Sequence, residues 1–363
     1  MSHPKFSYPV YNPCCDSIDV ARDWGLGILD VTTDIDLVLA QPFRVAAVQV
    51  FYNQPWIYSY NPNLKIDLSQ FDLVLFSDME YYTQADIEDW ISQQQVQQYV
   101  LALGGINPTD CLKPNQLYRP WWIRQFQEFN EYTDTQATTK PYLFDALLGA
   151  RRPHRDYVML ALARVGLLEQ SLVTYRDCFP GAVINDQNTY FQSLFPNKLN
   201  WPYVSPQSDP LWEVRTVIDN TVSLDSPLEI YRRTWYSIIC ETIGTGSTFF
   251  LSEKTIKAMY NRRIFVIFGP QGYLRHLREQ GFATFSGVVN ESYDDEPRDS
   301  IRFQLAMHQV MQLAWFEDPT EMYDSMSTAL DQNQSRLREL EEKRSRDQRE
   351  LLHHHIPGHH WLW

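Results

Sequence analysis

Between Thr248 and Gly269 the sequence reads TFFLSEKTIKAMYNRRIFVIFG, and these 22 residues hold an adjacent carboxylate and ammonium, Glu253 and Lys254. Phe249 to Leu251 is a short apolar run that reads as a strand. Ser252 can cap the helix that follows, whose buried stripe is Ile256, Met259 and Tyr260, and Ile264 to Phe268 reads as a second strand. Together they predict a compact βαβ unit. In such a unit the loop after the first strand and the first helical turn lie at the carboxyl edge of the sheet, where open α/β sheets bind ligands and backbone N–H groups attract phosphate. A carboxylate beside an ammonium suits a ribose hydroxyl and a phosphate. The same pair equally fits a capped helix whose acid complements the macrodipole, and these residues alone leave the two readings level.

A second group of charges stands at Gly149 to Arg155, GARRPHR, ahead of a predicted helix Tyr157 to Val165 that stops at Gly166. Arginine presents a planar fork that grips phosphate through two N–H groups, so Arg151, Arg152 and Arg155 at a helix start read as a diphosphate clamp. The alternative is an interdomain salt-bridge cluster. His154 reads as a structural partner in either case. The net charge of −14 argues against a surface that coats nucleic acid, since nonspecific affinity comes mainly from neutralising phosphates. Yet the two stretches stand out as basic islands. Residues 225–285 carry eight Lys and Arg against five acids, and residues 140–176 carry six against three, each a local excess of three. Such islands in an acidic chain fit a small polyanion better than a solvated basic face.

Upstream of the Glu253-Lys254 pair, Tyr236 to Gly244 reads YSIICETIG, an apolar strand ending on the carboxylate of Glu241. The order of aromatic-rich strand, Glu, short turn, SEK, helix, apolar strand and Gly resembles the donor-nucleotide half of fucosyltransferase-like glycosyltransferases of the two-Rossmann (GT-B) architecture. The resemblance covers roughly residues 140–302. It implies that Glu253 faces the donor ribose and Lys254 the diphosphate, with Ser252 and Glu241 beside them. It further implies an arginine opening the donor domain, Arg152 or Arg155, and an aromatic and an acid near the sugar, Tyr293 and Asp294. The family's aromatic-Glu-Asn reads Cys240-Glu241-Thr242 here, which weakens the assignment of Glu241. The implied co-substrate is a UDP- or GDP-linked sugar, with no further cofactor. No Asp-x-Asp motif with a supporting context is present, so positive side chains are expected in place of a metal.

These residues need two α/β domains to position them, and 363 residues with 44% hydrophobic content can supply a core in each. The expected division is an N-terminal acceptor-side Rossmann-like domain (1–139), a donor domain (140–330) and a charged helical extension with a histidine-rich tail (331–363). In the first, Val45 to Val50, Phe71 to Ser77 and Tyr99 to Leu103 read as buried strands and Asp86 to Gln94 as a helix. An inverting sugar transfer requires a carboxylate to accept the proton of the attacking hydroxyl. Asp78 and Glu80, at a strand end, are the candidates, with Asp30 third; strand-end acids are also common helix caps. Aromatic residues Trp121, Trp122, Phe126 and Phe129 read as a packed amphipathic helix or an acceptor platform. No apolar run reaches a membrane-spanning length, the N-terminus does not read as a secretory signal, and five scattered cysteines make neither a disulfide framework nor a zinc set. A cytoplasmic glycosyltransferase is therefore expected, its acceptor a glycan or a hydroxymethylated base of bacteriophage DNA. The alternative is a catalytically inactive nucleotide-binding scaffold or sensor.

Overall fold

A computed structural model of the chain describes residues 9–12, 24, 31–51, 56–57, 67–78, 84–106, 111–120, 140–150, 152–176 and 228–355. The chain divides into two compact units. Unit 1 takes Met1–Trp121, Thr248–Leu251 and Glu339–Trp363, and unit 2 takes Trp122–Ser247 and Ser252–Arg338.

Unit 1 holds β1 (Val10–Tyr11), β2 (Val31–Thr32), α1 (Ile35–Leu39), β3 (Val45–Phe51), β4 (Trp56–Ile57), β5 (Leu73–Asp78), α2 (Gln84–Gln93), β6 (Tyr99–Leu103), β7 (Gly105–Ile106) and β8 (Gln116–Tyr118). Its main sheet runs β2-β1-β3-β5-β6-β8, all parallel, with β4 antiparallel on β3. Successive strand side chains point to opposite faces. Val45, Ala47, Leu73 and Leu75 therefore build one core with Leu352, while Ala46, Val48, Val74 and Phe76 build a second with Ile87 and Ile91 of α2. Burial on both faces explains why these strands read as continuous apolar runs rather than alternating ones.

Unit 2 holds β9 (Tyr142–Ala150), α3 (Pro153–Arg164), β10 (Ser171–Arg176), α4 (Leu228–Arg233), β11 (Thr234–Cys240), then, after β12 (Phe249–Phe250), α5 (Glu253–Tyr260), β13 (Phe265–Phe268), α6 (Tyr273–Glu279) and α7 (Asp299–Ala314). The last helix, α8 (Pro319–His355), supplies residues to both units. Four parallel strands run β10-β9-β11-β13. The unit's first strand, β9, thus has its second, β10, on one side and its third, β11, on the other. Between β9 and β11 the winding reverses, which is where open α/β sheets place ligands.

One expectation is corrected. Phe249 and Phe250 do not form a βαβ unit with β13: β12 pairs antiparallel with β7, in unit 1. The parallel neighbour of β13 is β11, whose seven residues are all buried. A two-residue strand offers too short a ladder to anchor a sheet, and the long apolar strand ending at Cys240 takes that position. The α/β class with parallel sheets stands, as do α5, the strand before Gly269 and the Gly166 stop, where φ is +73°.

A buried polar knot fixes the other end of the unit 2 sheet. Arg263 donates to Asp145 Oδ2 (2.8 Å), Thr234 O (2.7 Å), Ser237 Oγ (3.1 Å) and Tyr231 O (3.1 Å). Burial pushes the Asp145 carboxyl up, opposed by Arg263 and the two hydroxyls. Helix α8 closes the ends of other helices. Gln334 Nε2 donates to Tyr260 O at 2.5 Å and Arg336 Nε to Gln280 O at 2.6 Å, so the last carbonyls of α5 and α6 find partners. Among the described residues no helix is long and apolar enough to cross a membrane.

Candidate functional site at the carboxyl edge of the unit 2 sheet

The ends of β9 and β11 deliver the charged residues to one place. After β9, Arg152 is the N-cap residue of α3 and Pro153 opens the helix with its missing N–H at no cost, so His154 and Arg155 sit in the first turn. After β11 come Glu241 and Thr242. Arg152 Nη1 donates to Thr242 O at 2.9 Å and His154 Nε2 donates to Glu241 O at 2.7 Å, tying the two strand ends together. The Nε of Arg152 is buried without a hydrogen-bond partner among the described residues.

Three cations surround His154. Burial first, then the charges of Arg155, Arg152 and Lys254, hold its imidazole well below its usual value, so the ring is neutral at physiological pH. Arg155, 4% exposed, is itself pushed down to about 10 by burial and by the neighbouring Arg152, against the pull of Glu253 and Glu241. It remains charged near pH 7. Arg152, Arg155 and Lys254 therefore form one electropositive cluster at the switch between β9 and β11.

Ser252 accepts from Lys254 N at 3.3 Å and caps α5 as its sequence predicts. The side chains of Glu253 and Lys254 are 14% and 13% exposed and join at 2.5 Å. Burial raises the Glu253 carboxyl, but Lys254 and Lys257 outweigh it and hold it below the ordinary glutamate value. The pair is thus an ionised couple at the surface of the cluster, able to exchange its mutual bond for a hydroxyl and a phosphate.

Glu241 behaves differently. It is fully buried, and its carboxylate accepts from Thr255 Oγ1, from Tyr273 Oη (2.7 Å) and from Thr242 N (3.1 Å). Its oxygens hold the first turns of α5 and α6 to the end of β11. Cys240, just before it, is a neutral thiol: burial pushes it up to about 12 despite Arg155 and Lys254.

Tyr293 and Asp294 also serve the backbone. Tyr293 Oη accepts from Ile267 N at 3.2 Å, and the Asp294 carboxylate accepts from Leu274 N (2.9 Å) and Arg275 N (3.0 Å), capping α6 from outside that helix. Asp78 ends β5 in unit 1 and is 3% exposed. Glu80, Asp30, Arg151 and the aromatic residues 121–129 lie outside the described residues.

Two residues that the sequence did not single out matter to the shape of the edge. Arg302 of α7, 2% exposed, donates to Gly269 O (3.1 Å), Glu296 O (2.9 Å) and Gly244 O (3.5 Å), fixing the loops after β11 and β13. Its signal was an arginine on the apolar stripe of a helix, in line with Ala306, Val310 and Leu313. Gly244 is the second. A Cβ there would stand 2.3 Å from His154 Nδ1 and 2.5 Å from Cγ, so only glycine lets the loop lie against the ring. Among the described residues no group of three or more His, Cys, Asp or Glu is arranged to hold a metal ion. Compared with known proteins, the chain matches no family model and no curated protein.

Proposed function

We propose that the chain is a glycosyltransferase that takes a sugar from a UDP- or GDP-linked donor and passes it to a hydroxyl acceptor, with inversion and without a metal. One observation carries this reading: Arg152, Arg155 and the Glu253-Lys254 pair converge at the carboxyl edge where β9 and β11 part. Desolvated cations at a switch point favour a compact polyanion such as a diphosphate, and each charge-assisted hydrogen bond to it contributes about 1.5–3 kcal/mol. The ionised Glu253 is a strong acceptor for a ribose hydroxyl. In transfer, the leaving diphosphate gains negative charge as the bond to the sugar breaks, and the fixed cations stabilise it without reorganising. His154, neutral and bound through Nε2, supports the cluster without adding a fourth charge.

The test is release of UDP or GDP from a panel of nucleotide sugars, first with water and then with glycans and hydroxymethylated DNA as acceptors. Acceptor-dependent release supports the proposal. Tight UDP or GDP binding with no turnover of any donor would mark a nucleotide-binding scaffold instead, and no nucleotide binding at all would sink both.

A further inference from the structure

Unit 2 also carries a wide depression of about 680 Å³, inside the range of about 300–1,000 Å³ typical of small-molecule sites. Arg278, Ser286, Asn290, Ser292, Asp295 and Gln312 line it. Its wall is rigid. Glu291 accepts from Arg278 Nη1 (2.8 Å), Thr284 Oγ1 (2.8 Å) and Phe285 N (2.6 Å), and Asn290 N donates to the buried Gln309 at 2.9 Å. Asn290 Oδ1 in turn accepts from Ser292 N at 3.1 Å, which orients its exposed amide. The shape therefore exists before any ligand arrives.

Charge and surface chemistry narrow the ligand class. Arg278 pairs with Glu291, and Asp295 lies 3.5 Å from Arg275, so two cations are balanced by two carboxylates. A balanced site has no reason to select a polyanion. What it offers is a dense set of donors and acceptors in planar side chains. Beside it runs an exposed stripe of α7, Leu305, His308 and Gln312, continued by the C-cap residue Trp315, at helical spacings of three, four and three. Gln312 belongs to both the stripe and the depression. Trp315 is 70% exposed, an unusual state for the largest apolar side chain, and Phe316 after it is 46% exposed. Trp315, the C-cap residue, keeps helical backbone angles and follows Gln312 by three residues, about one helical turn further on.

An exposed tryptophan one helical turn from Gln312 of a depression with paired charges, two amides and two hydroxyls matches the two surfaces of a pyranose, an apolar C–H face and a rim of hydroxyls. The geometry points to a binding platform for a neutral oligosaccharide formed by Trp315, Gln312 and the loop 286–292. It shares no lining residue with the strand-edge cluster and does not depend on what that cluster binds.

The experiment titrates maltotetraose, cellotetraose, chitotetraose and a heparin tetrasaccharide separately into the full chain, by calorimetry and amide NMR. At least one neutral tetrasaccharide is expected to bind saturably in the millimolar range or tighter, and Trp315→Ala and Gln312→Ala should each weaken it about tenfold. Both positions are exposed, and an unchanged melting temperature would show that the fold survives. Failure of all three neutral sugars to bind, tighter binding of the heparin fragment, or equal binding by Trp315→Ala would overturn the proposal.

Discussion

Lys254 and Glu241 stand within the same stretch of chain yet answer to different demands. The ammonium of Lys254 pairs with Glu253 and is partly open, whereas both oxygens of the Glu241 carboxylate accept from protein donors. Lys254→Ala should therefore leave the fold intact and weaken UDP and GDP binding by about tenfold or more, the loss of one charge-assisted contact. Calorimetry on the folded variant is the check, and unchanged affinity would remove Lys254 from the site. Gly244→Ala should act through shape. Its methyl group would press on the His154 ring, so the ring or the loop must move, at about 1–3 kcal/mol of stability. Because His154 holds Glu241 O, nucleotide affinity should fall as well, and a variant with the parent's melting temperature would contradict the packing argument.

At the scale of elements, α5 was legible because its cap, its stripe and its following strand lie in one continuous stretch. Ser252→Ala should cost about 1 kcal/mol, read as a lower denaturation midpoint at constant slope, since it removes the acceptor for Lys254 N. An unchanged midpoint would mean that Glu253 and the helix dipole suffice. What the sequence could not convey was which strand lies beside β13. Phe249–Phe250 and Thr234–Cys240 are both apolar runs, and strand pairing is decided by ladder length and by partners distant in the chain. The same limit hid the buried knot. Asp145 and Arg263 are separated by more than a hundred residues, and nothing local marks either as half of a pair. Arg263→Met should destabilise unit 2 by about 3–5 kcal/mol, because it leaves the Asp145 carboxylate buried without its cation. The double variant Asp145→Leu with Arg263→Met should recover part of that loss, and a cycle showing simple additivity would refute the coupling. Tyr293 and Asp294 illustrate the reverse case. Their residue types suited a sugar contact, yet the amides at the start of α6 and in β13 take their polar atoms first.

For the whole molecule the relevant balance is 45 acids against 31 lysines and arginines, which makes the cationic cluster at the β9–β11 edge an exception within a negative field. That arrangement has a consequence in pH. His154 is buried neutral and its folded value lies well below the usual one, so the unfolded chain binds a proton that the folded chain refuses. Its contribution to stability is complete above the unfolded value of about 6.5 and is lost as pH falls from there towards the depressed folded value, at up to about 1.4 kcal/mol per pH unit. Glu253, held low by Lys254 and Lys257, adds a loss in the same direction at more acid pH, below about 4.5, the usual glutamate range. The chain should therefore begin to lose stability on the acid side near pH 6.5, ahead of general carboxylate titration. Denaturation midpoints measured between pH 7.5 and 5.5 test this. His154→Gln keeps a side-chain N–H for Glu241 O but cannot be protonated, so its midpoint should fall less steeply across that window than the parent's, the remainder coming from groups such as His355, which burial and His354 also hold low. Parallel curves for the two proteins would show that the proton is taken up elsewhere and that His154 is not the group the cation cluster holds neutral.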